Sequence, residues 1–124
     1  MEENTKIYAF TDLRVWKESH ALVLLTYKTT KVFLKDELFA LTSQMRRAAV
    51  SITSNIAEGF ARRGTKEKIQ FYNIASGSLV ELENQFIIAR DVGYISQDEW
   101  KIIAGQIIPV HQLQNAFIRS TRNF

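Results

Sequence analysis

Cysteine is absent from the 124 residues of the chain. That excludes disulfides, thiol catalysis and cysteine-ligated zinc, and suits a reducing compartment. Proline occurs once and glycine five times, so little irregular structure is expected. The two histidines, His20 and His111, form no Glu-x-x-His or His-x-x-x-His pair. The di-iron bundle pattern is therefore missing, and each lone histidine is read as a packed or surface residue. No Gly-x-x-x-x-Gly-Lys-Ser/Thr or Gly-x-Gly-x-x-Gly run occurs, which argues against phosphate-loop nucleotide binding. Ser51, Ser54, Ser76 and Ser78 have no base and acid spaced around them. No catalytic residue, metal ligand or cofactor is expected. Uncharged apolar runs fall well short of the ~20 residues that cross a bilayer. Met1 to Phe10 contain Glu2 and Glu3 and no apolar leader stretch. These gaps lead to the expectation of a cytoplasmic, non-enzymatic protein with no membrane partner.

What is present fits one helical domain. The apolar fraction of 46% is ordinary for a globular chain. Residues 1–9 are expected to form a loose arm and residues 10–124 a single domain. The net charge is only +3, but its distribution is uneven. Between Ser43 and Gln70 six basic residues face two acidic ones, a local net of +4. Between Glu81 and Glu99 five acidic residues face one basic, a local net of −4. Solvated helix faces explain such runs, and so does a surface that recruits a charged partner.

Four amphipathic stretches follow one another. The first starts near Thr11–Asp12, either of which can cap it. It runs to about Phe33 with Leu13, Trp16, Val23 or Leu24, and Tyr27 toward the core. The second is capped by Thr42 and ends near Gly59, since glycine takes the left-handed conformation without a Cβ clash. Leu41, Met45, Ala48, Ile52, Ile56 and Gly59 share its core face, with Ser43, Arg46, Arg47, Val50 and Ser54 opposite. The third is capped by Thr65 and ends at Gly93–Ile95, with Tyr72, Ala75, Leu79, Leu82, Phe86 and Ala89 as its stripe. Gly77 lies mid-helix, where glycine costs about 1 kcal/mol against alanine. A neighbouring helix is therefore expected to approach closely at Ser76, Gly77 and Ser78. The fourth opens on the capping box Ser96–Glu99. It carries Trp100, Ile103, Ile107, Val110 and Phe117, and should bend at Pro109. Short connections between such helices predict an all-α, up-down-up-down antiparallel four-helix bundle. Val15, Ile87, Ile88, Ile102 and Ile108 widen the apolar arcs beyond one seam, which predicts self-association.

The best phosphate contacts are Arg46, Arg47, Arg62, Arg63, Lys66 and Lys68, through charge and forked hydrogen bonds. Trp16 and Trp100 could stack on bases, but their stripe positions favour burial. Asn55 and Glu58 stand one turn apart and can meet. They are read as a polar tie at the helix end, with a catalytic carboxylate as the alternative.

Several linked patterns carry a family likeness. They are Phe10-x-x-Leu13-x-Val15-Trp16, then Leu41-Thr42-x-Gln44-Met45-Arg46-Arg47-Ala48-Ala49-x-Ser51-Ile52. Asn55-Ile56-Ala57-Glu58-Gly59 follows, and finally Ala75-x-Gly77-Ser78-Leu79-x-Glu81-Leu82. Together they resemble the four-helix bundle family of the 23S rRNA intervening-sequence proteins. The resemblance runs from about Phe10 to Tyr94 and weakens in the fourth helix. Members often carry proline where this chain has Leu34 and Thr53, so a straighter second helix and a less fixed first connection are expected. The resemblance implies a bacterial cytoplasmic protein, a ring-like homo-oligomer (a pentamer) with a basic surface, and no catalytic residues. A related branch comprises accessory proteins of diversity-generating retroelements, which bind a reverse transcriptase and nucleic acid. The leading expectation is a non-enzymatic oligomer that binds nucleic acid, RNA first. The alternative is a scaffold for a protein partner such as a reverse transcriptase.

Overall fold

A computed structural model describes residues 6–123. Of the expected arm, residues 1–5 lie outside the described residues. Ile7 to Ala9 are exposed, yet the Asp12 carboxylate accepts hydrogen bonds from the Tyr8 and Ala9 amides at 2.9 and 3.0 Å. Those two bonds hold its carboxyl below the usual carboxylate range.

The described residues contain no strand and four α-helices: α1 (Arg14–Thr30), α2 (Leu41–Ala61), α3 (Thr65–Asp91) and α4 (Gln97–Arg122). Short 3-10 turns at Phe10–Asp12 and Lys35–Glu37 precede the first two. Each helix packs on the next, and α4 returns to α1. One core results, centred on Leu22, Met45, Ile52, Leu79, Phe86 and Ile107. No described helix is long and apolar enough to cross a membrane.

The stripes of α2 and α3 are buried as the spacing predicts, apart from Leu41, which is half-buried. In α4 the buried row is Ile103, Ile107, Val110, Gln114 and Ile118, with Trp100 and Phe117 at its margin. In α1 the buried row is Val15, Ser19, Leu22, Val23, Thr26 and Thr30. Leu24 and Tyr27 are exposed instead. The two threonines occupy the core face by satisfying themselves: Thr26 donates to the Leu22 carbonyl and Thr30 to the Thr26 carbonyl, each at 2.8 Å.

The helix ends correct several expectations. Asp12 caps its own 3-10 turn, and α1 starts at Arg14 without a side-chain cap. Thr42 is buried inside α2. Glu37 accepts from the Leu41 amide at 3.3 Å in its place, while its other oxygen accepts from the Tyr94 hydroxyl at 2.6 Å. That bond raises the Tyr94 phenol above its ordinary value. Gly59 does not end α2, which continues to Ala61 before Arg62 turns extended. Thr65 is the first helical residue of α3, and Gly64 precedes it without a side-chain cap. The end of α3 follows expectation. Gly93 has φ +87 and its amide bonds the Arg90 carbonyl, while the Tyr94 amide reaches back to Ala89 at 2.8 Å. Ser96 and Glu99 form the expected capping box at 3.0 and 2.8 Å. Helix α4 runs unbroken through Pro109.

Candidate nucleic-acid interface

Contacts between helices decide which basic residues share a surface. Gly59 near the end of α2 lies against Tyr72 in α3: a Cβ there would fall 2.6 Å from the ring. The Tyr72 ring meets Phe117 of α4 at 4.6 Å. Phe117, Leu113 and Ala116 in turn flank Leu13, Arg14 and Val15. The end of α2, the starts of α3 and α1, and the end of α4 thus meet at one end of the molecule, the junction end.

This end is strongly basic. Arg14 and Lys17 come from α1, Arg62 from the end of α2, Arg63, Lys66 and Lys68 from the turn and start of α3, and Arg119 and Arg122 from α4. Against them stand Asp12, Glu18, Glu58 and Glu67. Asp12 is engaged by backbone amides, and Glu58 pairs with Arg62 at 3.4 Å. Within the described residues, none of Arg14, Lys17, Arg63, Lys66, Arg119 and Arg122 forms an ion pair with a side-chain carboxylate.

The six residues singled out in the sequence divide into two groups. Arg46 and Arg47 lie fifteen or so positions earlier on α2, roughly 22 Å along the axis from the junction end. Arg46 is half-buried, donates to Thr30 at 2.9 Å and covers the Tyr27 ring at 4.8 Å. Arg47 binds Gln44 and forms an ion pair with Glu81. Both tie helices together. At the junction end, Lys68 caps α2 by donating to the carbonyls of Phe60 and Gly59 at 2.8 and 3.4 Å. Arg62 covers the Phe71 ring at 4.8 Å. Arg63 and Lys66 are exposed.

Sequence reading had no means of adding Arg14, Lys17, Arg119 and Arg122 to this patch. They lie in other segments and reach the same end only through the packing of Phe117. The signal available was the basic last turn of α4.

Asn55 and Glu58 do not meet. Asn55 donates to the Ser51 carbonyl and hydroxyl at 2.8 and 3.1 Å, and Ser51 shares a 2.7 Å hydrogen bond with Ser78 across α2 and α3. The polar tie therefore joins Asn55, Ser51 and Ser78, while Glu58 points to Arg62. Gly77 is exposed, with nothing within 4 Å of the place its Cβ would take. The close helix approach is at Gly59. Among the apolar residues predicted to widen the arcs, Val15 is buried in the monomer, whereas Ile88, Ile102 and Ile108 are exposed.

No described group of three His, Cys, Asp or Glu residues could hold a metal ion. His111 pairs with Glu83 at 3.0 Å, and His20 stacks on the half-buried Trp16 at 4.6 Å.

A family model described as 23S rRNA-intervening sequence protein matches residues 11–116. A crystal structure of a protein of unknown function from the S23 ribosomal protein family of Bacteroides thetaiotaomicron VPI-5482 has a TM-score of 0.78 to this chain. It is 20% identical, and the match covers 96% of this chain and 99% of that one. At that identity the likeness speaks for the fold. No curated protein matches the chain.

Proposed function

The chain belongs to the 23S rRNA-intervening sequence protein family, and we propose that it is a non-enzymatic, cytoplasmic bacterial protein that binds RNA through the phosphate backbone at its junction end. The carrying observation is the convergence of basic side chains from all four helices on that end, with few carboxylates left to neutralise them. The contact pairs Arg47–Glu81, Ser51–Ser78 and Gly59–Tyr72 run in opposite chain directions, which supports an up-down-up-down antiparallel bundle. Exposed Ile88, Ile102 and Ile108 support a homo-oligomer, and the family supports reading it as a ring of five. A ring repeats the basic end in every subunit and so raises avidity.

Fluorescence anisotropy with a labelled RNA over a salt series tests this reading. Replacing Arg62, Arg63, Lys66 and Lys68 with glutamine should weaken binding and flatten the salt slope by about 0.7 for each single-strand phosphate no longer neutralised. Unchanged affinity and slope would remove the patch from the interface. Lys68 also caps α2, so the pair Arg63→Gln, Lys66→Gln is the cleaner variant. Light scattering at micromolar concentration should give a mass well above 14.3 kDa, and a stable monomer rejects the ring.

A second reading, a scaffold for a protein such as a reverse transcriptase, draws on a different surface. Val32, Leu34 and Phe39 around the α1–α2 connection are 82%, 61% and 91% exposed, far more than a monomer needs there. If a protein partner binds this apolar surface, Phe39→Ser abolishes its binding and leaves RNA affinity unchanged.

A further inference from the structure

The junction end contains a groove that the charge pattern alone does not reveal. It lies between α3 and α4, has a volume of about 410 Å³, and is lined by Asn73, Ser76, Asn115, Ile118, Arg119 and Arg122. We propose that this groove is a nucleotide-binding subsite for single-stranded RNA, in which Arg119 and Arg122 hold a backbone phosphate while Asn73 and Asn115 contact the adjoining base. The inference rests on the RNA-binding reading above and assigns it a specific site.

Three observations carry it. The groove is open to solvent, and its volume exceeds what a simple ion needs. Among the described residues the lining contains two arginines one turn apart and no carboxylate, so its side chains offer a phosphate forked donors suited to its oxygens, whose full charges outweigh the partial negative charge at the end of α4. Finally, the Ser76 hydroxyl lies just beneath the groove wall, shielded from solvent, and has no hydrogen-bond partner among the described residues. A buried hydroxyl without a partner is costly, and a small shift of the wall on binding would let a ligand oxygen satisfy it. Basic residues in the last turn of α4 also complement the helix dipole. The dipole does not account for the two amides or the unpartnered serine.

The amides favour a single strand. Asparagine can donate to and accept from a base edge at once, and in RNA such edges are accessible mainly where bases are unpaired. Ile118, 8% exposed, gives the groove an apolar wall for the base face. A duplex presents its phosphates on a convex surface and keeps its base edges stacked away from a cleft between two helices.

The test uses the full chain and a short labelled oligoadenylate RNA. Arg119→Gln with Arg122→Gln should lower affinity and reduce the salt slope by about 0.7, the share of the one phosphate they hold. Asn73→Ala with Asn115→Ala should lower affinity severalfold while leaving the slope unchanged, because amides release no counterions. The side-chain amide signals of Asn73 and Asn115 should shift in NMR spectra as the RNA is added. Circular dichroism checks that each variant keeps its helix content; the shifts in the unaltered protein keep the test decisive if a variant unfolds. If the unaltered protein binds RNA but both pairs of substitutions leave affinity as it was, the groove is not the subsite and the wider reading stands. If duplex RNA or polyglutamate binds the groove as well as the single strand does, the single-strand assignment is overturned. If the unaltered protein binds no RNA, both readings fall together.

Discussion

Gly59, Gly77 and Gly105 sit inside helices of this protein, and the surroundings of the first two are opposite. Gly59 is buried on the core face of α2, where Tyr72 and Phe71 of α3 leave no room for a Cβ. Gly77 is exposed on α3, and nothing lies within 4 Å of its missing Cβ. A mid-helix glycine therefore marks a close approach only when it lies on the buried stripe. Gly59 continues the row Ile52, Ile56. Gly77 falls between Ala75 and Leu79, on the turn of the helix that faces out. The seam that Gly59 closes also fixes the junction end, because Lys68 caps α2 there and Tyr72 carries the contact on to Phe117.

The largest expected effect comes from filling the Gly59 site. Gly59→Ala places a methyl 2.6 Å from Tyr72 Cε1 and 2.9 Å from Phe71 Cβ. The second atom is anchored near the backbone and cannot swing away. Alanine gains about 1 kcal/mol in helix propensity, but overpacking costs about 1–3 kcal/mol, so a net loss is expected. Gly59→Leu should prevent folding. Urea denaturation followed by circular dichroism measures both, and an alanine variant as stable as the parent would mean that the two helices can separate at this seam without cost.

Tyr72 gives the seam a pH dependence. Burial pushes its phenol from 10.0 up to about 12, because the charged phenolate is poorly solvated there. Below pH 10 both folded and unfolded chains keep the proton, and stability is unaffected by this group. Between pH 10 and 12 the unfolded chain ionises while the folded one does not, so stability falls as pH rises, by at most about 1.4 kcal/mol for each pH unit. Tyr72→Phe should remove that part of the alkaline loss, which denaturation at pH 9 and pH 11.5 reads directly. An identical alkaline loss in the phenylalanine variant would place the titrating group elsewhere.

Much of the fold is legible in the sequence, and the failures have physical causes. The stripes of α2 and α3 are readable because both are dominated by apolar and small residues at three- and four-residue steps. The stripe of α1 is obscured because Ser19, Thr26 and Thr30 are buried, and a threonine that bonds its own helix carbonyl looks polar in sequence while behaving as a core residue. Helix starts are misplaced where a capping residue comes from an unexpected position, as with Glu37 ahead of α2. Ser78 differs from its sequence reading in the same way. Its small size draws notice in the sequence, but its role is the 2.7 Å bond to Ser51, which only the register between helices reveals. Ser78→Ala should cost about 0.5–1.5 kcal/mol, more than a surface serine, with Ser51 still receiving the Asn55 amide; urea denaturation measures the difference, and a loss no greater than that of an exposed serine would mean the bond contributes nothing. The basic patch is half legible: Arg62, Arg63, Lys66 and Lys68 are close in sequence, whereas Arg14, Arg119 and Arg122 join them only by folding.

The smallest effect has the opposite sign and completes the contrast between the glycines. An exposed glycine within a helix loses more backbone freedom on folding than alanine and packs no side chain in return. At Gly77 a methyl meets no neighbour, and the helical backbone there does not need a positive φ. Gly77→Ala should therefore stabilise the chain by about 0.5–1 kcal/mol, and even Gly77→Leu should be tolerated in the monomer. Parallel denaturation of the two alanine variants should move in opposite directions, down for Gly59 and up for Gly77. The oligomer supplies a sharper use of the same substitution. Gly77 is flanked by Ile74 and Val80, 52% and 57% exposed, so a neighbouring subunit seated on this face would feel a bulky side chain that the monomer does not. If Gly77→Ala raises stability while Gly77→Leu lowers the mass seen in light scattering, the open face of α3 is part of the assembly contact. If Gly77→Leu leaves both stability and mass unchanged, the assembly uses other surfaces, and the glycine is a position where the helix merely tolerates a missing side chain.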